Sequence, residues 1–131
     1  MSARYTVTIL GAMDLPNLDG PFDKSDPYCR VTMGGTELFK TPTKNNTLNP
    51  TWGTTQVITW DGINDLIFTI MDSDFFTKDD WMGQYILPKD QIPKGAKGSF
   101  PVQVHQRFAK RGMEPQITLK VEEFAECCCI Q

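Results

Sequence analysis

Tyr5-Thr6-Val7-Thr8-Ile9 alternates a bulky apolar residue with a threonine, and that period of two marks a strand with one face in a core and the other in solvent. The pattern returns near the other end, in Pro115-Gln-Ile-Thr-Leu-Lys-Val-Glu122, where Ile117, Leu119 and Val121 face inward. Six further runs of the same character lie between them, at 27–33, 36–41, 54–60, 65–71, 82–87 and 99–105. Turn clusters separate them: Gly34-Gly35, Asn45-Asn46, Asp61-Gly62 and Lys94-Gly-Ala-Lys-Gly98. Eight short strands at this spacing predict an all-β sandwich. Helical periodicity is confined to a turn at Lys89-Asp-Gln-Ile92, which Pro93 ends.

A chain of 131 residues, 40% hydrophobic and 22% charged, suits one domain with a self-sufficient core. No run approaches the roughly 18 to 20 apolar residues of a membrane span, and Met1-Ser2-Ala3-Arg4-Tyr5 leads into a strand instead of a signal-peptide core. The expectation is a non-integral protein that does not enter the secretory route. Its domain covers 1–124, followed by a cysteine-rich tail at 125–131.

Net charge is only −3, but its distribution is uneven. Seven of the eleven aspartates fall in two windows: Asp19, Asp23 and Asp26, then Asp72, Asp74, Asp79 and Asp80. Like charges so crowded repel unless a cation lies among them. With no basic stripe, nucleic acid is not the expected partner.

The cysteines form no disulfide framework: Cys29 is alone in a strand, and Cys127, Cys128 and Cys129 are adjacent. They lack the spacing of a zinc site, and the single histidine, His105, is far away in sequence. A reducing compartment follows. Cys29 is expected in the core and His105 at the surface. Trp52 and Trp81 are expected to pack in the core or under loops.

Asp72-Ser-Asp74 leaves the apolar run 66–71, and Asp80 follows six residues after Asp74. Alternate residues at a strand end aim two carboxylates into one space once the chain bends, and the returning loop adds a third. Asp19 and Asp26 from another loop bring the total to five, a set suited to a hard cation with six to eight oxygen ligands at ~2.3 to 2.6 Å, calcium before magnesium. Taken singly, aspartates also collect in loops because they favour turns and caps. An EF-hand is excluded, since counting from Asp72 puts Thr77 where glycine is needed and Gly83 where glutamate is needed. A phosphatase-like Asp-x-Asp nucleophile lacks supporting machinery in so short a chain.

These residues resemble the C2 domain family, the calcium-dependent phospholipid-binding modules of protein kinase C, synaptotagmins and cytosolic phospholipase A2. The resemblance runs through Leu15-Pro16, Ser25-Asp26-Pro27-Tyr28, Lys40-Thr41 with Lys44, Thr47-Leu-Asn-Pro-Thr-Trp52, Asp72-Ser-Asp74 and Asp80-Trp-Met-Gly83. It implies an eight-stranded antiparallel Greek-key β-sandwich. The calcium ligands would be Asp19, Asp26, Asp72, Asp74 and Asp80. Asp19 lies seven residues before Asp26 where the family usually has six, so a longer first loop lets Asp23 replace or join it. The start and end strands resemble the circularly permuted, phospholipase-like branch, whose termini lie opposite the calcium loops.

Phe22, Phe75 and Phe76 are bulky apolar residues in otherwise polar loops, expected to insert into a bilayer once calcium neutralises the aspartates. Two calcium ions would take the formal charge from −3 to about +1. Lys40 and Lys44 form a thin phosphoinositide-type basic patch, or a solvated strand face. The final Cys128-Cys-Ile-Gln131 reads as a prenylation signal on Cys128, with Cys127 open to a palmitoyl chain; one lipid alone anchors only marginally.

The reading is a monomeric, non-enzymatic peripheral module on the cytosolic face of membranes, a calcium-dependent adaptor in signalling or trafficking. The alternative is a calcium-independent protein-interaction module of the same fold. An enzyme is disfavoured, because no nucleophile and base pair is in view.

Overall fold

The computed structural model describes residues 3–20, 22–108 and 114–125. Its eight strands are β1 (Ala3–Met13), β2 (Pro27–Met33), β3 (Thr36–Lys40), β4 (Thr51–Trp60), β5 (Leu66–Asp72), β6 (Asp80–Leu87), β7 (Ala96–Pro101) and β8 (Gln116–Glu123). They build two four-stranded antiparallel sheets, ordered β4-β1-β8-β7 and β3-β2-β5-β6. This is the expected all-β sandwich.

The alternation read in the sequence is the alternation that packs. Val7 and Ile9 of β1 and Ile117 and Leu119 of β8 are fully buried, as are Phe68 and Ile70 from the opposite sheet. Cys29 is also wholly buried, and burial pushes its thiol up, away from the reactive thiolate. In β1 the register shifts between Ile9 and Gly11, which turns Leu10 outward and brings both Gly11 and Ala12 inside. Gly11 has no alternative here: a Cβ would run into the Pro50 carbonyl oxygen.

The strand order makes the first and last strands neighbours, with Tyr5 opposite Glu123 and Met13 opposite Gln116. Met13 leads into the first loop, so the Ala3 and Glu123 ends of the two strands lie at the pole away from it.

Two local expectations need correction. The seventh strand runs Ala96–Pro101 and not 99–105, because pairing with β8 from Val121 to Gln116 overrides the turn-like Gly95-Ala-Lys-Gly98. After Pro101 the chain crosses to the other sheet, where Gln84 and Gln103 exchange backbone hydrogen bonds of 3.0 and 2.8 Å and cover part of the open β6 edge. Trp52 is buried as expected, but Trp81 is 40% exposed. A register shift between Ile70 and Met71 pairs Trp81 with Met71 on the outer face and leaves Met82 to fill the core. The expected turn before Pro93 is present, with the Ile92 N–H donated to Lys89 O at 3.3 Å, and a 3-10 turn at Ile92–Lys94 continues it.

Candidate metal centre

The pole is assembled by a strap. Ala12 donates its N–H to Pro50 O at 3.0 Å, Leu15 to Leu48 O at 3.1 Å, Lys44 to Pro27 O at 3.0 Å and Thr47 to Ser25 O at 3.0 Å. The Trp52 indole N–H adds a 3.3 Å bond to Pro27 O. Segment 44–52 thus holds both ends of the first loop, which gives Thr47-Leu-Asn-Pro-Thr-Trp52 a structural task. Within that loop, fully buried Ser25 accepts the Leu18 N–H at 2.9 Å, and Asn17 reaches Asp23 O at 3.1 Å.

Asp26 ends the first loop and Asp72 ends β5, directly across from Pro27. Asp26 donates its N–H to Asp72 Oδ1 at 2.8 Å, while Ser73 donates to Asp26 O at 2.9 Å. Asp26 Oδ1 in turn accepts the Asn46 N–H at 2.6 Å. Asp19 arrives from the first loop, and one carboxylate oxygen of each of Asp19, Asp26 and Asp72 lies within 4.8 Å of the others.

Asp72 is only 2% exposed, and its Oδ2 has no hydrogen-bond partner. A buried carboxylate oxygen left so costs free energy unless a cation answers it. Burial raises the Asp72 carboxyl to about 6, the Asp26 N–H pulls it down, and the charge of Asp19 raises it further. The all-oxygen, all-carboxylate donor set fits a hard cation.

The remaining aspartates take different places. Asp23 and Asp74 line the same cleft as Asp19 and Asp26, together with Lys24 and Phe75. Asp74 Oδ1 accepts the N–H groups of Phe76 at 3.0 Å and Thr77 at 3.4 Å, and the Thr77 hydroxyl and these amides hold its carboxyl below the usual range. Asp80 opens β6 directly opposite Asp72 in the sheet register and is exposed. Of the five carboxylates expected to converge, Asp19, Asp26 and Asp72 form the close cluster, Asp74 flanks it and Asp80 sits beside it on the next strand.

Two residues with a part in this pole were missed by sequence reasoning. Asn46 closes over Asp26 and also accepts the Lys24 N–H at 2.8 Å. Asp79 accepts the Tyr28 hydroxyl at 2.6 Å and the Asp74 N–H at 2.9 Å. The Tyr28 bond is the main cause holding the Asp79 carboxyl low, and burial, then Asp79, pushes Tyr28 up to about 12. Asp79 was visible only as one more acid, and nothing local pairs it with a tyrosine 51 residues away.

Phe22, Phe75 and Phe76 stand 96%, 95% and 92% exposed at the same pole, with the last two rings 5.5 Å apart. Lys40 lies on the outer face of β3 with its ammonium 5.7 Å from the Tyr28 ring, and Lys44 is exposed on the strap. His105 is exposed and accepts the Arg107 N–H at 3.1 Å. Cys127 and Cys128 lie outside the described residues. Among the described residues no helix is long and apolar enough to cross a membrane.

Residues 3–104 match the C2 domain family. Synaptotagmin-1 of Caenorhabditis elegans is 36% identical over 99 residues, covering 71% of this chain and 22% of its own length. The chain therefore spans about a fifth of that curated relative. Among solved structures, the calcium-bound tandem C2 domains of Extended-Synaptotagmin 2 superpose with a TM-score of 0.74 at 20% identity, over 92% of this chain and 45% of that one. Human GIVD cytosolic phospholipase A2 gives 0.76 at 23% identity, over 93% and 16%. At these identities the structures speak for the fold, and the sequence match speaks for descent. A match that begins in β1 and runs past the end of β7, over the strands that carry the acidic pole, places this chain in the C2 domain family.

Proposed function

We propose that the protein is a calcium-dependent membrane-binding module, a small peripheral adaptor acting at the cytosolic face of phospholipid membranes. The observation that carries this reading is the buried carboxylate of Asp72, its Oδ2 unpartnered, which clusters with Asp19 and Asp26 beneath a rim of exposed phenylalanines. Asp19, Asp26 and Asp72 would hold the ion, with Asp74 and Asp80 completing the set and Asp23 joining from the longer first loop. Bound there, calcium supplies positive charge to a pole that otherwise repels anionic headgroups. Phe22, Phe75 and Phe76 then offer apolar surface for the headgroup boundary. Asp26 and Asp72 are already tied together at 2.8 Å, so the switch is electrostatic and needs no large change of fold.

Calorimetric titration with calcium, repeated with anionic liposomes present, tests this. Saturable binding that tightens with lipid, and release from liposomes by chelator, is the expected result. Binding to liposomes that ignores calcium would reject it. A chain that binds neither would favour the protein-interaction reading.

A further inference from the structure

Loop 73–79, which carries Phe75 and Phe76, is fastened to the sheet at a point outside the three-carboxylate cluster. Tyr28 on β2 donates its hydroxyl to Asp79 Oδ2 at 2.6 Å, while Asp79 Oδ1 accepts the Asp74 N–H at 2.9 Å. One side chain therefore joins the beginning of the loop to its end and ties both to a neighbouring strand. The position of Asp74 then sets the tip, because its own carboxylate accepts the N–H groups of Phe76 and Thr77. Tyr28 is itself held, half-buried on β2 with the Lys40 ammonium over its ring.

We propose that Tyr28 and Asp79 are positioning residues: a brace that sets Asp74 and the Phe75–Phe76 tip before any ion binds, with Asp79 accepting hydrogen bonds instead of ligating metal. This rests on reading the pole as a calcium and membrane site. The physical gain is preorganisation. A loop ordered only on binding would draw its lost entropy from the binding free energy, and a loop already braced does not. Both Asp79 oxygens are engaged in the brace, and Asp79 is not one of the three carboxylates that meet in the cluster.

Three variants separate a brace from a ligand. Asp79→Asn removes the charge but keeps the geometry, since the amide oxygen can accept the Asp74 N–H and the amide NH2 can donate to the Tyr28 oxygen. Asp79→Ala removes both bonds, and Tyr28→Phe detaches the loop from the sheet alone. Two readouts are needed: amide hydrogen exchange at Asp74 and Phe76 in chelator, and binding to phosphatidylserine-containing vesicles at fixed calcium. Tyr28→Phe and Asp79→Ala are expected to speed exchange and to weaken vesicle binding by about tenfold each, with Asp79→Asn close to wild type in both. The proposal is overturned if Asp79→Asn loses vesicle binding as far as Asp79→Ala does, or if Tyr28→Phe and Asp79→Ala leave either readout unchanged. Failure of the wild-type protein to bind calcium or vesicles would remove the functional reading instead, and the exchange comparison would still decide whether the brace exists.

Discussion

Asp26 donates its backbone N–H to Asp72 Oδ1 across 2.8 Å, linking the end of the first loop to the end of β5. That bond occupies one oxygen of Asp72 and leaves the other buried and unpartnered, in a carboxylate that clusters with those of Asp19 and Asp26. The shared position follows from strand register, which sets Pro27 against Asp72 and so brings two distant segments to one point. A repulsive arrangement is thereby built into the folded state, one that a bound cation would relieve.

Asp72→Asn should abolish most calcium binding while leaving the apo fold intact or firmer. The amide oxygen can still accept the Asp26 N–H, and the buried charge is gone. Calcium affinity is expected to fall by at least about tenfold, and the Tm in chelator at pH 7 to stay level or rise by about 3 °C. A large drop in the apo Tm would contradict this account of the site.

The stability of the calcium-free protein should carry a matching pH signature. The Asp72 carboxyl sits at about 6 in the folded chain, against an ordinary value of about 3.9, so between those values the folded state holds more protons than the unfolded one. Its contribution to stability is fully present below about pH 4 and is lost as pH rises through about 6. Melting curves in chelator from about pH 4 to 7, wild type against Asp72→Asn, isolate this slope from other carboxylates. Protons should also compete with calcium, so affinity at about pH 5.5 is expected to be weaker than at about pH 7.5.

Phe75→Ala and Phe76→Ala should separate membrane binding from folding. Both rings are over nine-tenths exposed, so each change is expected to leave stability within about 0.5 kcal/mol. Burial of a phenylalanine is worth roughly 1.5 to 3 kcal/mol, so each loss should weaken vesicle binding by about tenfold or more. Liposome pelleting beside thermal melts checks both halves; equal pelleting by wild type and variants would exclude insertion.

Gly11→Ala tests the strap from the other side. The added methyl would meet the rigid Pro50 carbonyl, which already accepts the Ala12 N–H at 3.0 Å. Overpacking against backbone is expected to cost about 1 to 3 kcal/mol, read as a lower denaturation midpoint. Because segment 44–52 also holds the first loop, calcium affinity should fall with it.

How far the molecule could be read in advance depended on the distance over which each feature is determined. Tyr5, Val7 and Ile9, or Ile117, Leu119 and Val121, declare their strands locally, because a period of two and one buried face are properties of a few consecutive residues. The two aspartate windows were visible for the same reason, as was the exposure of Phe22, Phe75 and Phe76 in polar loops. The seventh strand was misplaced because Gly95-Ala-Lys-Gly98 looks like a turn until β8 offers it partners. Trp81 turned outward because of a register shift that has no local mark.

The sequence by itself determined the layered all-β architecture and the concentration of negative charge at loop ends, since alternation and composition are local. Only the tertiary structure decided which acids meet. Asp19 and Asp26 of the first loop meet Asp72 at the distant end of β5 through strand register, while Asp79, next to Asp80, is drawn instead to Tyr28. The roles of neighbouring identical side chains are set by which partner comes within hydrogen-bonding reach, and that depends on packing between strands, not on residue type.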